Sequence, residues 1–305
     1  MCVPLIGKQD SSLGVIQLSA RDPGFQFSED DLDLLISVAS QCSLAVDNAH
    51  LHERVLRRNQ LERELMAAQQ VQQDFLPDHP PVIANYEFCD YYQAAHRIGG
   101  DYFDYIDLPN GNLAVALADV AGKGIPAALL MAKLYSMVRH ELLTHASLSD
   151  AMNSLNKEIS TKGMAERFIT CILAIIDADN HKLSIANAGH LPPIRRNADG
   201  QAEMVGLEES GFPLGLVPDH EYHILDIDLS EGDSWFFFTD GVTEAMNPHH
   251  VLFSTEQLIK SITDGPASIG PLVNTIISDV RKFAENRPQN DDICLVGFQR
   301  VIGNE

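Results

Sequence analysis

Four aspartates stand where apolar runs end or glycine-rich turns begin, and carboxylates in such places suit metal chemistry. Asp101 follows Arg97-Ile98-Gly99-Gly100, and Asp119 ends the apolar run that starts at Leu113 and leads into Val120-Ala121-Gly122-Lys123-Gly124. Asp240 closes Trp235-Phe236-Phe237-Phe238-Thr239 and precedes Gly241, while Asp291, beside Asp292, stands just before Ile293 to Phe298. A carboxylate at the mouth of a core strand is costly to bury alone and needs a cation. Oxygen donors favour Mg²⁺ or Mn²⁺ over Zn²⁺. Three or four such groups from separate strands can hold two metals about 4 Å apart and activate water. Taken singly, each is weak. Asp-Gly is a common turn, Asp119 is also placed to cap a helix starting near Ile125, and Gly122 and Gly124 suit a tight turn. The order and spacing of all four are far more specific.

His190, in Asn187-Ala188-Gly189-His190, is open to two readings: a general acid, or a hydrogen-bonded residue in the turn before Pro192-Pro193. The twelve His show no His-Glu-x-x-His pair. The loop Gly211-Phe212-Pro213-Leu214-Gly215 offers no side chain that ligates a metal or moves a proton.

Around these residues the pattern predicts successive strands at Tyr86 to Ala95, Tyr102 to Leu108 and Leu113 to Val120, with a turn at Pro109-Asn110-Gly111. In the third, Leu113, Val115 and Leu117 share one face and Ala114, Ala116 and Ala118 the other, so the strand should be covered on both sides. Two helices follow, carrying Met131, Leu134, Tyr135, Val138 and Leu142, then Leu148, Ala151, Met152, Leu155 and Ile159. Further strands are expected at Phe168 to Asp177, Lys182 to Ala188, Ile224 to Leu229 and Ser234 to Thr239. A helix from Leu272 to Phe283 then precedes a last strand, Ile293 to Phe298. Hairpin-length gaps between strands, with helices in pairs, indicate an antiparallel α+β sandwich rather than a βαβ fold.

The first ~50 residues offer a strand at Gly14 to Leu18, a turn at Pro23-Gly24, and Ser28 as N-cap before Glu29, Asp30 and Asp31. Too short to fold alone, they are expected to be completed by residues upstream of Met1 or by a partner chain. Residues 44 to 76 contain no Gly or Pro and are rich in helix formers. Leu44, Leu51 and Val55 hold one seam; Leu61, Leu65, Ala68, Gln72 and Phe75 continue it in a shifted frame, with a heptad break between Val55 and Leu61. Two readings stand: a parallel dimeric coiled coil weakened by Gln69 and Gln72, or a connecting helix packed on its own domain. Pro77, Pro80 and Pro81 stop the helix.

The chain has 305 residues, 45% of them hydrophobic, which allows about two domains with sizeable cores. Its 43 acidic against 21 basic residues give a net charge of −22, a field that repels nucleic acid. No apolar run approaches the ~18 residues of a membrane span, and no secretory leader is visible at the start. The five scattered cysteines suggest reduced core residues in a cytoplasmic protein.

Two resemblances organise these readings. Residues 1–50 resemble the C-terminal part of a GAF sensory domain, through Val3-Pro4-Leu5, Gly14-Val15-Ile16-Gln17-Leu18, Phe27-Ser28-Glu29-Asp30-Asp31 and the run Leu34 to Asn48. From about residue 62 to 300 the chain resembles the SpoIIE-like, RsbU-like branch of the PPM metal-dependent protein serine/threonine phosphatases. The motifs that carry it are Ala67-Ala68-Gln69-Gln70-Val71-Gln72 with Leu76-Pro77, Ile98-Gly99-Gly100-Asp101-Tyr102-Phe103-Asp104, Ala118-Asp119-Val120-Ala121-Gly122-Lys123-Gly124, Asn187-Ala188-Gly189-His190, Phe238-Thr239-Asp240-Gly241-Val242-Thr243-Glu244 and Asn290-Asp291-Asp292. This likeness implies a four-layer αββα sandwich over residues 82–303, reached through a helical linker at 44–78, with a dinuclear Mn²⁺ or Mg²⁺ centre. Asp119 would bridge both metals, with the Val120 carbonyl on one; Asp240 and Asp291 would complete the other, and Asp101 would sit nearby, on metal-bound water or on a weaker third metal. Asp104 and Asp292 would be supporting residues, and Lys123 stands where many relatives carry His. The implied substrate is a phosphorylated protein, an anti-sigma-factor antagonist with a STAS domain, and the likeness implies a switch at the two helices between Gly124 and Thr161. The 44–76 helix, free of Gly and Pro, is itself expected to hold a homodimer and gate the phosphatase domain. The alternative is a docking module with a pseudophosphatase domain, against which the intact aspartates count. A Gly-Gly-Asp-Glu-Phe cyclase is disfavoured because Tyr102 replaces the required Glu.

Overall fold

The computed structural model describes residues 1–8, 11–22, 24–161 and 168–301. Pro23 of the expected turn, and residues 302–303 of the expected phosphatase domain, lie outside them. The chain divides into two units, Met1–Ala67 and Ala68–Glu305.

In the first unit, strands β1 (Cys2–Ile6) and β2 (Ser12–Gln17) pair antiparallel and precede helix α1 (Glu29–Gln73). The Ser28 hydroxyl accepts the Asp31 N–H while the Asp31 carboxylate accepts the Ser28 N–H, a reciprocal cap that starts α1. Val3, Leu35 and Ala39 are buried together, with Leu5 and Ile16 against them. The heptad break between Val55 and Leu61 leaves α1 uninterrupted, because no Gly or Pro interrupts its backbone. Leu44, Leu51, Val55 and Leu61 are exposed.

The second unit is a four-layer αββα sandwich, as expected. Strands β3 (Tyr86–Gln93), β4 (Tyr102–Asp107), β5 (Leu113–Val120), β6 (Ile169–Asp177), β7 (Lys182–Ala188), β8 (Ile194–Arg196), β9 (Ala202–Met204), β10 (Ile224–Asp228), β11 (Ser234–Phe238) and β12 (Ile293–Arg300) form two five-stranded sheets, ordered β10-β7-β6-β5-β4 and β3-β12-β11-β8-β9. Every pairing between these strands is antiparallel.

Helices α2 (Ile125–Thr144) and α3 (Leu148–Thr161) cover the outer face of the first sheet, packing Met131, Leu134 and Leu155 on Ala114, Ala116 and Ala118. The other face of β5, with Leu113, Val115 and Leu117, meets Trp235, Phe237 and Phe298 of the second sheet. Phe236 and Phe238 point the opposite way, onto helices α5 (Ser254–Asp264) and α6 (Ile269–Ala284); the one-turn helix α4 (Asp240–Thr243) follows β11. Each fully buried Phe here is worth roughly 1.5–3 kcal/mol of burial.

In the second unit four elements escape the sequence reading: β8, β9, α4 and α5. The strands are three residues long, too short for an alternation to register. Helix α5 buries only Leu258 and Ile262, one face over two turns. The helix expected through 76 ends at Gln73, and its final turn departs from the expected seam. Gln72 is buried, and Phe75 packs against Tyr135 in a tilted ring pair with 5.1 Å between centroids, so these two residues pack on the sandwich itself. Of the cysteines, Cys171 and Cys294 are core residues, whereas Cys2 is exposed.

Candidate metal centre

The four aspartates gather at one end of the sandwich because their strands end there. Asp101 enters β4 and Asp119 is the penultimate residue of β5; Tyr102 pairs with Ala118, which sets the two carboxylates side by side on the first sheet. On the second sheet, β11 and β12 are neighbours, so Asp240, two residues beyond Phe238, lies beside Asp291 at the start of β12. Gly241 has no room for a side chain, since a Cβ there would collide with the Asp292 carbonyl. The N-cap position of α2 is Gly124, so Asp119 is not a helix cap.

The carboxylates feel one another. Burial, then Asp119 and Asp292, push Asp101 well above the usual carboxylate range. Burial and the Asp119 and Asp291 charges raise Asp240 to about 7. Asp119 rises to about 6, through burial and Asp291, eased by its neighbour Asp101. Asp101 is 2% exposed, and its Oδ2 has no hydrogen-bond partner among the described residues. A buried carboxylate oxygen without a donor calls for a cation. The Val120 carbonyl faces the same turn, 3.2 Å from where a Cβ on Gly100 would stand. Among the described residues no three of His, Cys, Asp and Glu stand close enough together, as the side chains lie, to hold a metal ion. The all-oxygen set nonetheless fits Mg²⁺ or Mn²⁺ in its chemistry.

Neighbouring residues hold this end together. Asp292 Oδ1 accepts the Ala95 N–H at 2.8 Å and Oδ2 accepts those of Gly100 at 2.6 Å and Asp101 at 3.3 Å, tying the Asp101 turn to the opposite sheet. Asp104 is taken up by Arg139 through bonds of 2.6 and 2.8 Å and by the Tyr102 hydroxyl. Lys123 Nζ contacts Asp291 Oδ2 at 2.8 Å and donates to the Asn290 carbonyl at 2.6 Å. Gln72 is the residue whose place the sequence reading missed. Its amide accepts the Gly99 N–H at 2.9 Å and donates to the Gly99 carbonyl at 2.8 Å. The available signal was a polar residue repeated at a seam position.

His190 is no proton donor to this centre. It is buried, with Nε2 facing the Phe238 carbonyl at 3.1 Å and Nδ1 on the Thr170 hydroxyl at 2.8 Å. A carbonyl only accepts, so Nε2 carries the proton and Nδ1 accepts from Thr170. Burial lowers its pKa to about 4 and keeps the ring neutral. The side chain braces the end of β11, and Asn187 closes the turn with two bonds to the His190 backbone.

Comparison with known proteins adds the lineage. The family model described as Stage II sporulation protein E (SpoIIE) matches residues 109–301. The chain belongs to the SpoIIE family. A GAF domain model matches residues 1–48 of this SpoIIE-family chain. Phosphoserine phosphatase RsbU of Bacillus subtilis is 28% identical over 249 residues, covering 76% of the chain and 72% of RsbU. Protein IcfG of Synechocystis sp. is 26% identical over 264 residues; that match covers 78% of the chain but only 41% of IcfG. Among solved structures, the SiaA-PP2C domain of Pseudomonas aeruginosa superposes with a TM-score of 0.68 at 18% identity, over 80% of the chain and 98% of that domain, which places the SpoIIE-family unit in the PP2C fold.

Proposed function

We propose that residues 82–303 form a metal-dependent phosphatase that hydrolyses phosphoserine or phosphothreonine on a partner protein. The observation that carries this reading is the buried, unpartnered Asp101 Oδ2 among carboxylates drawn from both sheets. Asp119, the Val120 carbonyl, Asp240 and Asp291 would together hold two ions, with Asp119 serving both, and Asp101 would stand beside them or on a weaker third. Bound Mn²⁺ or Mg²⁺ supplies positive charge for the phosphoryl oxygens and Lewis acidity for the attacking water. The chain's own part is to hold the donors in place: Asp292 and Gln72 orient the Gly99–Asp101 turn, and His190 braces the strand leading to Asp240.

RsbU's name supports phosphoserine as the substrate group. The partner in this reading is a phosphorylated STAS-domain antagonist and the site of action is the cytoplasm; among the described residues no helix is long and apolar enough to cross a membrane. The exposed Leu44, Leu51, Val55 and Leu61 of α1 support homodimerisation through the 44–76 helix, with the GAF-like residues 1–50 as the regulatory input. The test is phosphate release from a phosphorylated STAS-domain protein with Mn²⁺, with Mg²⁺ and after exhaustive chelation. Release only with metal supports the reading, and hydrolysis that survives chelation overturns it.

A further inference from the structure

Lys123 stands between β5 and α2, flanked by Gly122 at φ 107° and Gly124 at φ 77°, conformations that let the loop turn back over the strand ends. Its ammonium crosses to the opposite sheet, where it meets Asp291 Oδ2 at 2.8 Å and the Asn290 carbonyl at 2.6 Å. The other oxygen of Asp291 accepts the Asp292 N–H at 3.0 Å, so both carboxylate oxygens are engaged. The same ammonium acts electrostatically on Asp119 and Asp240.

We infer that Lys123 is a built-in counter-cation that competes with metal for Asp291 and holds the metal affinity of this centre down. The inference rests on the metal-centre reading above and adds a device to it. A divalent ion entering the cluster meets a positive charge already in contact with one of its donors. Either the ammonium leaves, giving up a charge-assisted contact, or both cations stay within a few ångströms of each other. Both routes weaken binding. Departure is feasible: the Lys123 side chain is 52% exposed, on a flexible four-carbon stem that reaches solvent. Before metal arrives, the ammonium relieves the repulsion among the carboxylates, so the empty centre remains folded and occupancy follows metal concentration.

The test uses the full chain stripped of metal, with Mn²⁺ titrated calorimetrically into wild type, Lys123→Gln and Lys123→Arg. Gln keeps a donor for the Asn290 carbonyl and removes the charge; Arg keeps the charge. We expect Lys123→Gln to bind Mn²⁺ at least tenfold more tightly and Lys123→Arg to stay within about threefold of wild type. Melting in EDTA provides a second readout, with Lys123→Gln below wild type and gaining more on Mn²⁺ addition. Unchanged or weaker Mn²⁺ binding by Lys123→Gln, with wild type binding normally, overturns the counter-cation and leaves the metal centre standing. No Mn²⁺ binding by any form overturns the metal centre and this inference with it.

Discussion

Asp101 and Asp104 lie three residues apart on the same strand and its approach, are 2% and 1% exposed, and have opposite surroundings. Asp104 is saturated: Arg139 grips both of its oxygens, the Tyr102 hydroxyl donates at 2.9 Å, and the Tyr105 N–H adds a fourth bond at 2.8 Å. Burial still pushes the Asp104 carboxyl up, but Arg139 opposes it. Asp101 has an unpartnered oxygen, and its nearest charges are carboxylates. One buried carboxylate is answered within the chain and stabilises the contact between α2 and β4. The other keeps one oxygen to which no described residue donates. Burial alone does not mark a candidate functional acid; a buried oxygen left without an internal donor does.

The contrast breaks most sharply through substitution. Asp240→Asn or Asp119→Asn should lower metal-dependent turnover by roughly 10³-fold or more, since each removes a charged donor. Melting in EDTA should hold or rise, because Asp240 at about 7 is a carboxylate whose folded pKa is raised. The sign follows: that site costs the metal-free protein stability as pH climbs from the unfolded value through 7, and Asn removes the cost. Near-normal turnover in either variant at saturating Mn²⁺ would sink the assignment of these residues.

Arg139→Met should do the reverse at the saturated site. It strands Asp104 without its cation and should cost about 3 kcal/mol by denaturant titration, a figure reduced for the partial exposure of Arg139. Adding Asp104→Asn to that variant should recover part of the loss. Equal stabilities for wild type and Arg139→Met would make the ion pair incidental.

His190 sharpens the comparison with a buried base whose partners are complete. Its folded pKa, about 4, lies below the unfolded value near 6.5, so the unfolded chain binds the extra proton between those pH values. Stability is therefore full above pH 6.5 and declines as pH falls towards 4, by up to about 3 kcal/mol from this residue. His190→Gln should flatten that stretch of the stability profile. An unaltered slope would mean that His190 is not the group responsible.

The smallest effect is expected at Gln72. Gln72→Ala leaves the Gly99 N–H and carbonyl without their amide partner and should cost about 1–2 kcal/mol. Because Gly99 leads into Asp101, apparent Mn²⁺ affinity should weaken by severalfold with it. Loss of stability without any change in Mn²⁺ binding would reduce Gln72 to a structural strap.

Strand β5 was legible from its residues because both faces are apolar, and the structure lays those faces against α2 and α3 on one side and the second sheet on the other. The run Trp235 to Phe238 was legible for the same reason. The candidate donors could be named in advance because each sits where such a run stops. Their acidity could not be, because it depends on neighbours brought in from the other sheet. Side-chain pattern is a local property, set by the two-residue repeat of a strand, and survives in the sequence. The partnerships of Lys123 with Asp291, Asp292 with Gly100 and Gln72 with Gly99 join residues 168, 192 and 27 positions apart. No periodicity encodes such pairs. They exist only once antiparallel registry and the facing of two sheets have brought their loops to the same end of the sandwich, and that registry decided which buried carboxylate is satisfied and which keeps an unpartnered oxygen.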